Sequence, residues 1–256
     1  MSEPTLLIEH PSNGVVVIRL NRPEVLNALN LELRQSLAKY FDEFEKDSSV
    51  RVIVLAGGPK AFCAGADLNE YVDATPTEIV SRQMGRLWNS ISECSKPVIS
   101  AIRGYALGGG LELAMTADII IASEKAKLGQ PEVLVGIMPG GGATQRLTRA
   151  VGKFKAMKMM LTGELCTAQE AFNMGLLSEV VADELVEVKA LEWAALIARG
   201  PQMALRSIKQ SILQSMNMPL NQGLEFERKS FQLLFDTHDK TEGMRARLDK
   251  RDSKFE

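Results

Sequence analysis

Glu112 is the residue around which chemistry can be built. It stands three positions beyond Gly109 in Gly108-Gly-Gly-Leu-Glu-Leu-Ala114, a lone charge among apolar neighbours. Ahead of it, residues 98–102 (Val-Ile-Ser-Ala-Ile) are mostly apolar and β-branched, which predicts a buried strand. Gly104 ends that run, and a helix is expected to continue from Leu111. A strand, a glycine loop and a helix start aim unpaired backbone N–H groups at whatever lies in front of the loop. Glycines allow that ligand close to the backbone. A carboxylate three residues further on lies on the same helical face, one turn deeper. An N–H donor and an acid facing one cavity suit a developing oxyanion and a proton transfer. A second acid, Glu132, follows Gly129-Gln-Pro131; by spacing alone it reads equally well as a solvent-facing side chain beside a turn. Cys63 has no histidine near it in sequence and reads as a small buried thiol rather than a nucleophile.

Composition removes several other chemistries. Lys and Arg number 30 against 32 Asp and Glu, a net charge of −2, so there is no basic footprint for nucleic acid. Cys63, Cys94 and Cys166 form no C-x-x-C pair, which argues against a metal site or a disulfide framework and for a reducing compartment. Only His10 and His238 occur, so a histidine-centred triad is not expected. No apolar run approaches membrane length, and Met1-Ser-Glu-Pro4 does not read as a signal or transit segment. A cytoplasmic protein is expected. Dinucleotide, P-loop and G-x-S-x-G fingerprints are all absent from the sequence.

The elements that must hold these residues follow from pattern. Residues 15–20, 50–56, 98–102 and 118–122 read as strands, with a short one at Val180-Val181. Asn30 caps a helix with an apolar stripe at Leu33, Leu37, Phe41 and Phe44. Thr75-Pro-Thr-Glu78 is a capping box opening a helix to about Ser92, and Thr167-Ala-Gln-Glu170 is another. Met84, Leu87 and Trp88 recur at helical spacing and read as core. Beyond about residue 150 the pattern is almost wholly helical, with helices expected over 183–198, 202–216, 220–235 and 241–251. Pattern alone gives an α/β fold with a helical C-terminal part, for which a Rossmann-like sheet is the simplest model.

Four ordered motifs sharpen this reading. Ala61-Phe-Cys-Ala-Gly-Ala-Asp-Leu68, Gly104-Tyr-Ala-Leu-Gly-Gly-Gly-Leu-Glu-Leu113, Gly129-Gln-Pro-Glu-Val133 and Pro139-Gly-Gly-Gly-Ala-Thr-Gln-Arg-Leu147 together resemble an enoyl-CoA hydratase of the crotonase superfamily. The likeness runs from Asn21-Arg-Pro23 to Asp249-Lys-Arg251. It replaces the Rossmann sheet with a crotonase-like spiral of strand–strand–helix units and an all-helical C-terminal trimerisation part. Residues 1–195 would form the α/β core and 196–256 the helical oligomerisation region.

The resemblance also implies roles. The backbone N–H groups of Ala66 and Gly109 would form an oxyanion hole for the thioester oxygen. Glu112 and Glu132 would together hold a water, Glu112 taking its proton and Glu132 delivering one to the α-carbon. The position of Glu112 near a helix N-terminus favours it as the ionised partner, and a second nearby carboxylate would keep one of the pair protonated. Coenzyme A would lie along Val25, Leu26, Lys60, Ala64, Asp67, Leu68 and Asn69, with Lys250 of a neighbouring subunit near its ribose phosphate. No cofactor is implied beyond the coenzyme A carried by the substrate. The implied partners are the acyl-CoA thioester and further copies of the chain, as a trimer or a dimer of trimers, with no nucleic acid and no membrane. Glu24, Arg247 and Gly140-Gly-Gly-Ala143 depart from the family pattern, where a basic residue, a phenylalanine and Gly-Ala-Gly-Gly are commoner. The first two departures bear on the coenzyme A tail, and the third on the crowding of the loop. Hydration of a trans-2-enoyl-CoA in β-oxidation-type catabolism is the expected reaction. A Δ3,Δ2-enoyl-CoA isomerase on the same fold would need only one of the two acids. An RNA-binding member would want a lysine row where Arg34, Lys39 and Lys46 alternate with acids.

Overall fold

The computed structural model describes residues 4–256. Its organising motif is a repeated pair of strands that separate into two sheets. The strands are β1 (Leu6–Ser12), β2 (Val15–Leu20), β3 (Val52–Ala56), β4 (Ala61–Cys63), β5 (Val98–Ile102), β6 (Tyr105–Leu107), β7 (Ile119–Ser123), β8 (Lys127–Gly129), β9 (Cys166–Thr167) and β10 (Glu179–Val181). The larger sheet runs β1-β2-β3-β5-β7-β10 and the smaller β4-β6-β8-β9. Each pair β3/β4, β5/β6 and β7/β8 sends its first strand to the large sheet and its second to the small one. From β2 to β10 the large sheet is parallel, with Ile53 opposite Val98 and Ile99 opposite Ile119. This is the spiral that the resemblance implied, not a single Rossmann-like sheet.

Alternation along the strands builds two apolar layers. Val16, Ile18, Ile53, Leu55, Val98 and Ile102 join Leu33, Leu37 and Phe41 from α1 (Leu31–Lys46) in the larger core. The intervening residues Val15, Val17, Val52, Val54 and Ile99 form the second core, facing Val186, Ala190, Ala194 and Ala198. Small side chains every four residues give a helix one narrow flat face that can lie close on a sheet.

The remaining helices are α2 (Pro76–Ser81), α3 (Met84–Ser92), α4 (Gly109–Ala114), α5 (Ala143–Val151), α6 (Lys153–Thr162), α7 (Ala168–Asn173), α8 (Val186–Ala198), α9 (Gln202–Ser215), α10 (Leu220–Leu233) and α11 (His238–Leu248). α9 is pinned to the core by Lys209, whose Nζ donates to Lys96 O at 2.7 Å and pairs with Asp118 at 2.8 Å. No helix of the described residues is long and apolar enough to cross a membrane.

Several boundaries differ from the sequence expectation. The expected helix to Ser92 opens with the predicted Thr75–Glu78 capping box but breaks at Gln83, whose φ is +49°. The break frees α3 to pack along α1 while α2 stays on the surface. Residues 183–185 form a 3-10 turn before α8, and α11 starts at His238, capped by Thr237. One unexpected strand follows residue 150, β9, which joins the small sheet; β10, at the edge of the large sheet beside β7, is the short strand expected at Val180-Val181.

Candidate active site

Two strand pairs and two loops converge on Glu112. β5 and β6 deliver the chain to Gly108, and α4 begins at Gly109. Glu112 is only 3 % exposed, deeper than any solvated acid would sit. Its Oε1 accepts from Gly141 N at 2.8 Å and Ala143 N at 2.9 Å. Its Oε2 has no donor among the described residues. Burial pushes the Glu112 carboxyl above its ordinary value, while these loop N–H groups and the charge of Arg146 pull it back. The sequence expectation named the helix N-terminus as favouring an ionised Glu112 and did not include these influences. Desolvation is the largest influence, and the loop donors oppose it.

Glu132 reaches the same place from the 3-10 turn Pro131–Val135. A Cβ on Gly108 would stand 2.8 Å from Glu132 Oε1, and Gly108 has φ +49°, so only glycine fits between the loop and this acid. Glu132 is half-buried, and burial pushes its carboxyl up to about 7, with the Glu112 charge a smaller contribution. The sequence reading assigns the leading part to the neighbouring carboxylate; the structure assigns it to burial. The alternative of a solvent-facing surface acid does not describe this geometry.

Gln130, fully buried just before Pro131, sets its amide against both Glu132 oxygens, and with the NH2 assigned to that side it donates to them at 3.0 and 3.2 Å. Sequence reasoning missed it, because a glutamine beside a turn carries no spacing signal. It also missed Arg146, whose Nη1 donates to Gly141 O at 2.8 Å.

The N–H groups of Ala66 and Gly109 lie side by side: a Cβ on Gly109 would be 3.7 Å from Ala66 N. Neither N–H has a backbone acceptor among the described residues. Leu29 braces this pair, donating to Gly65 O at 2.7 Å, with its side chain 3.4 Å from the Gly109 Cβ position.

The other predicted residues form a rim. Val25 and Leu26 are partly exposed, and Leu26 O accepts from Ala64 N at 3.0 Å. Asp67 caps the turn at Asn69 and pairs with Arg22 at 3.1 Å; Leu68 is exposed beside it. Lys60 is exposed, and its carbonyl accepts from Tyr105 N at 3.3 Å. Lys250 stands apart, exposed just past α11 with φ +57°. Glu24 and Arg247 are exposed as well. Cys63 is wholly buried and its thiol is pushed up to about 12, which removes it as a nucleophile. Among the described residues no cluster of His, Cys, Asp or Glu could hold a metal ion.

A buried acid held by loop N–H groups, a second acid raised by burial and two N–H groups without backbone acceptors thus come from neighbouring loops. The profile of a family described as "Enoyl-CoA hydratase/isomerase" matches residues 10–256. The chain belongs to this family. It is an enzyme, an enoyl-CoA hydratase of the crotonase superfamily. A Rhizobium meliloti (strain 1021) protein described as a probable enoyl-CoA hydratase is 46 % identical over 260 residues, covering 100 % of this chain and 99 % of that protein. The 2,3-dehydroadipyl-CoA hydratase of Escherichia coli (strain K12) is 42 % identical, covering 97 % of this chain and 98 % of its own. An enoyl-CoA hydratase subunit from Geobacillus kaustophilus HTA426 superposes with a TM-score of 0.95 at 39 % identity, covering 98 % of both chains.

Proposed function

We propose that this hydratase adds water across a trans-2-enoyl-CoA by a two-glutamate mechanism. The observation that carries the reading is the pair of acids with different environments. Glu112 is clamped at Oε1 only, and Glu132 is raised to about 7. Glu112 takes a proton from water as its oxygen bonds to the β-carbon. The C=C electrons move onto the thioester, and the enolate oxygen is met by Ala66 N–H and Gly109 N–H. Fixed dipoles at that oxygen need no reorganisation when charge develops. Glu132 then gives its proton to the α-carbon, and the 3-hydroxyacyl-CoA leaves. Proton exchange with solvent restores an ionised Glu112 and a protonated Glu132.

Coenzyme A is read along the rim of Val25, Leu26, Lys60, Ala64, Asp67, Leu68 and Asn69, with Lys250 supplied by a neighbouring subunit. No cofactor enters the scheme, since both proton transfers and the oxyanion contacts come from the chain itself. Residues 1–195 act as the catalytic core and 196–256 as the oligomerisation region. α10 supports this: none of its residues is buried, and Leu220, Phe231 and Leu233 are 60–76 % exposed. Apolar area of this kind calls for a cover, and a trimer or dimer of trimers provides one. The enzyme is read as cytoplasmic, in keeping with three unpaired, buried cysteines, and its place as a step of β-oxidation-type catabolism.

The test follows the conjugated enoyl-thioester absorbance with trans-2- and trans-3-enoyl-CoA substrates of equal length. Faster loss of the 2-enoyl signal to hydration supports the proposal. Faster appearance of conjugation from the 3-enoyl substrate would make the enzyme an isomerase. Light scattering on the same protein should give three or six times 28.1 kDa, and a monomer would remove the role given to Lys250.

A further inference from the structure

Arg146 is a half-buried cation that no acid holds. It lies in the first turn of α5, and among the described residues it makes no ion pair within salt-bridge distance. Burying a guanidinium without a paired acid is costly, so the position calls for a reason. Its hydrogen bond is to a backbone oxygen, Gly141 O, at 2.8 Å. A Cβ on Gly142 would lie 2.3 Å from the same Nη1, so the guanidinium rests directly on the glycine loop.

That loop is the part that grips Glu112. Gly141 N and Ala143 N both donate to Oε1, and the Gly142 N–H adds a further pull on the carboxylate. The Gly141 C=O bonded by Arg146 and the Gly142 N–H belong to one peptide unit. A cation on the carbonyl end strengthens the donor at the other end. Trp88 closes the third side. A Cβ on Gly141 would meet its Cζ2 at 2.7 Å and Glu112 Oε2 at 2.8 Å, so indole and carboxylate flank one residue. Glu112 is also the one acid that acts on the Arg146 charge.

We propose that Arg146 is a positioning residue for hydration: it braces the Gly141–Ala143 loop so that Glu112 Oε1 stays clamped and Oε2 alone handles the proton. This rests on the reading of Glu112 as the base. Arg146 acts through the loop rather than on substrate. Its charge, together with the loop donors, keeps Glu112 ionised. The charged groups around Glu112 are Arg146 from α5 and Glu132 from the 3-10 turn after β8; Trp88 from α3 is neutral.

The test compares R146Q, R146K and E112Q with wild type in hydration of a short trans-2-enoyl-CoA across pH. R146Q retains a donor for Gly141 O without the charge, and R146K retains the charge without the planar fork. Both should lower kcat about tenfold or more with KM within about twofold, as expected for lost orientation at fixed binding. Only R146Q should move the acidic limb of kcat/KM to higher pH, by about 0.5 or more. An unmoved limb in R146Q overturns the proposal, as does a rise in KM with kcat unchanged, which would mark a substrate contact. Should one variant not fold, the other still decides through kcat and the limb. Failure of both to fold also overturns it, making Arg146 a residue of stability alone. E112Q separates the two layers: near-wild-type rate there sinks the base itself, whereas a slow E112Q with an unmoved R146Q limb sinks only Arg146.

Discussion

Replacing Glu132 by Gln should change stability in a pH-dependent way. Burial raises this carboxyl from 4.5 to about 7, so the native state holds its proton more tightly than the unfolded chain does. The sign follows from linkage. The stabilisation is complete below about 4.5, is lost as pH rises towards 7, and is flat above. At about 1.4 kcal/mol for each pH step the ceiling is about 3 kcal/mol. Glu132 is only half-buried, so solvent screening brings this to about 1–2 kcal/mol. The amide in E132Q carries no charge at any pH and escapes the loss. Calorimetry at pH 5 and pH 8, at one protein concentration, isolates the charge. The Tm of E132Q relative to wild type should rise by about 2–8 °C between the two pH values. A difference that does not change with pH would refute the assignment of a raised Glu132.

Other outcomes follow from the same geometry. Gly141→Ala should lower kcat by about a hundredfold and Tm by several degrees, because its Cβ would meet Trp88 and Glu112 Oε2 at the clamp. Steady-state kinetics beside a melting curve checks it. Lys209→Met removes the cation from Asp118, whose carboxylate still reaches solvent, and should cost about 1–2 kcal/mol, or about 2–8 °C in Tm. In wild type kcat/KM should fall above about pH 7 as Glu132 loses the proton it must deliver, and should fall again at lower pH as Glu112 gains one.

What could be read from sequence depended on how locally each feature is determined. Strands β3, β5 and β7 are buried on both faces, so their apolar runs stand out. The stripe of α1 and its Asn30 cap are equally local. β4, β6 and β8 are three residues each and owe their pairing to one another across the fold, so no run of their own marks them. The break at Gln83 likewise reflects packing of α3 on α1 rather than a glycine or proline. In the site, Glu112 was legible because its glycines and helix start are contiguous. Gln130, Trp88 and Arg146 bear on the two acids only through folding, and each reads as an ordinary residue where it stands. The causes of the pKa shifts were also hidden, since desolvation depends on depth and depth is a tertiary property.

The most direct measurement is hydration of a short trans-2-enoyl-CoA by wild type, E112Q, E132Q and the double variant. Both substitutions are nearly isosteric and leave the Ala66 and Gly109 donors in place. If the acids act on one water and two carbons as a unit, each single change should lower kcat by about a hundredfold or more. KM should change little, and the double variant should be scarcely slower than the worse single one. Near-wild-type kcat in E132Q, or single losses that simply multiply in the double variant, would contradict a two-glutamate hydration.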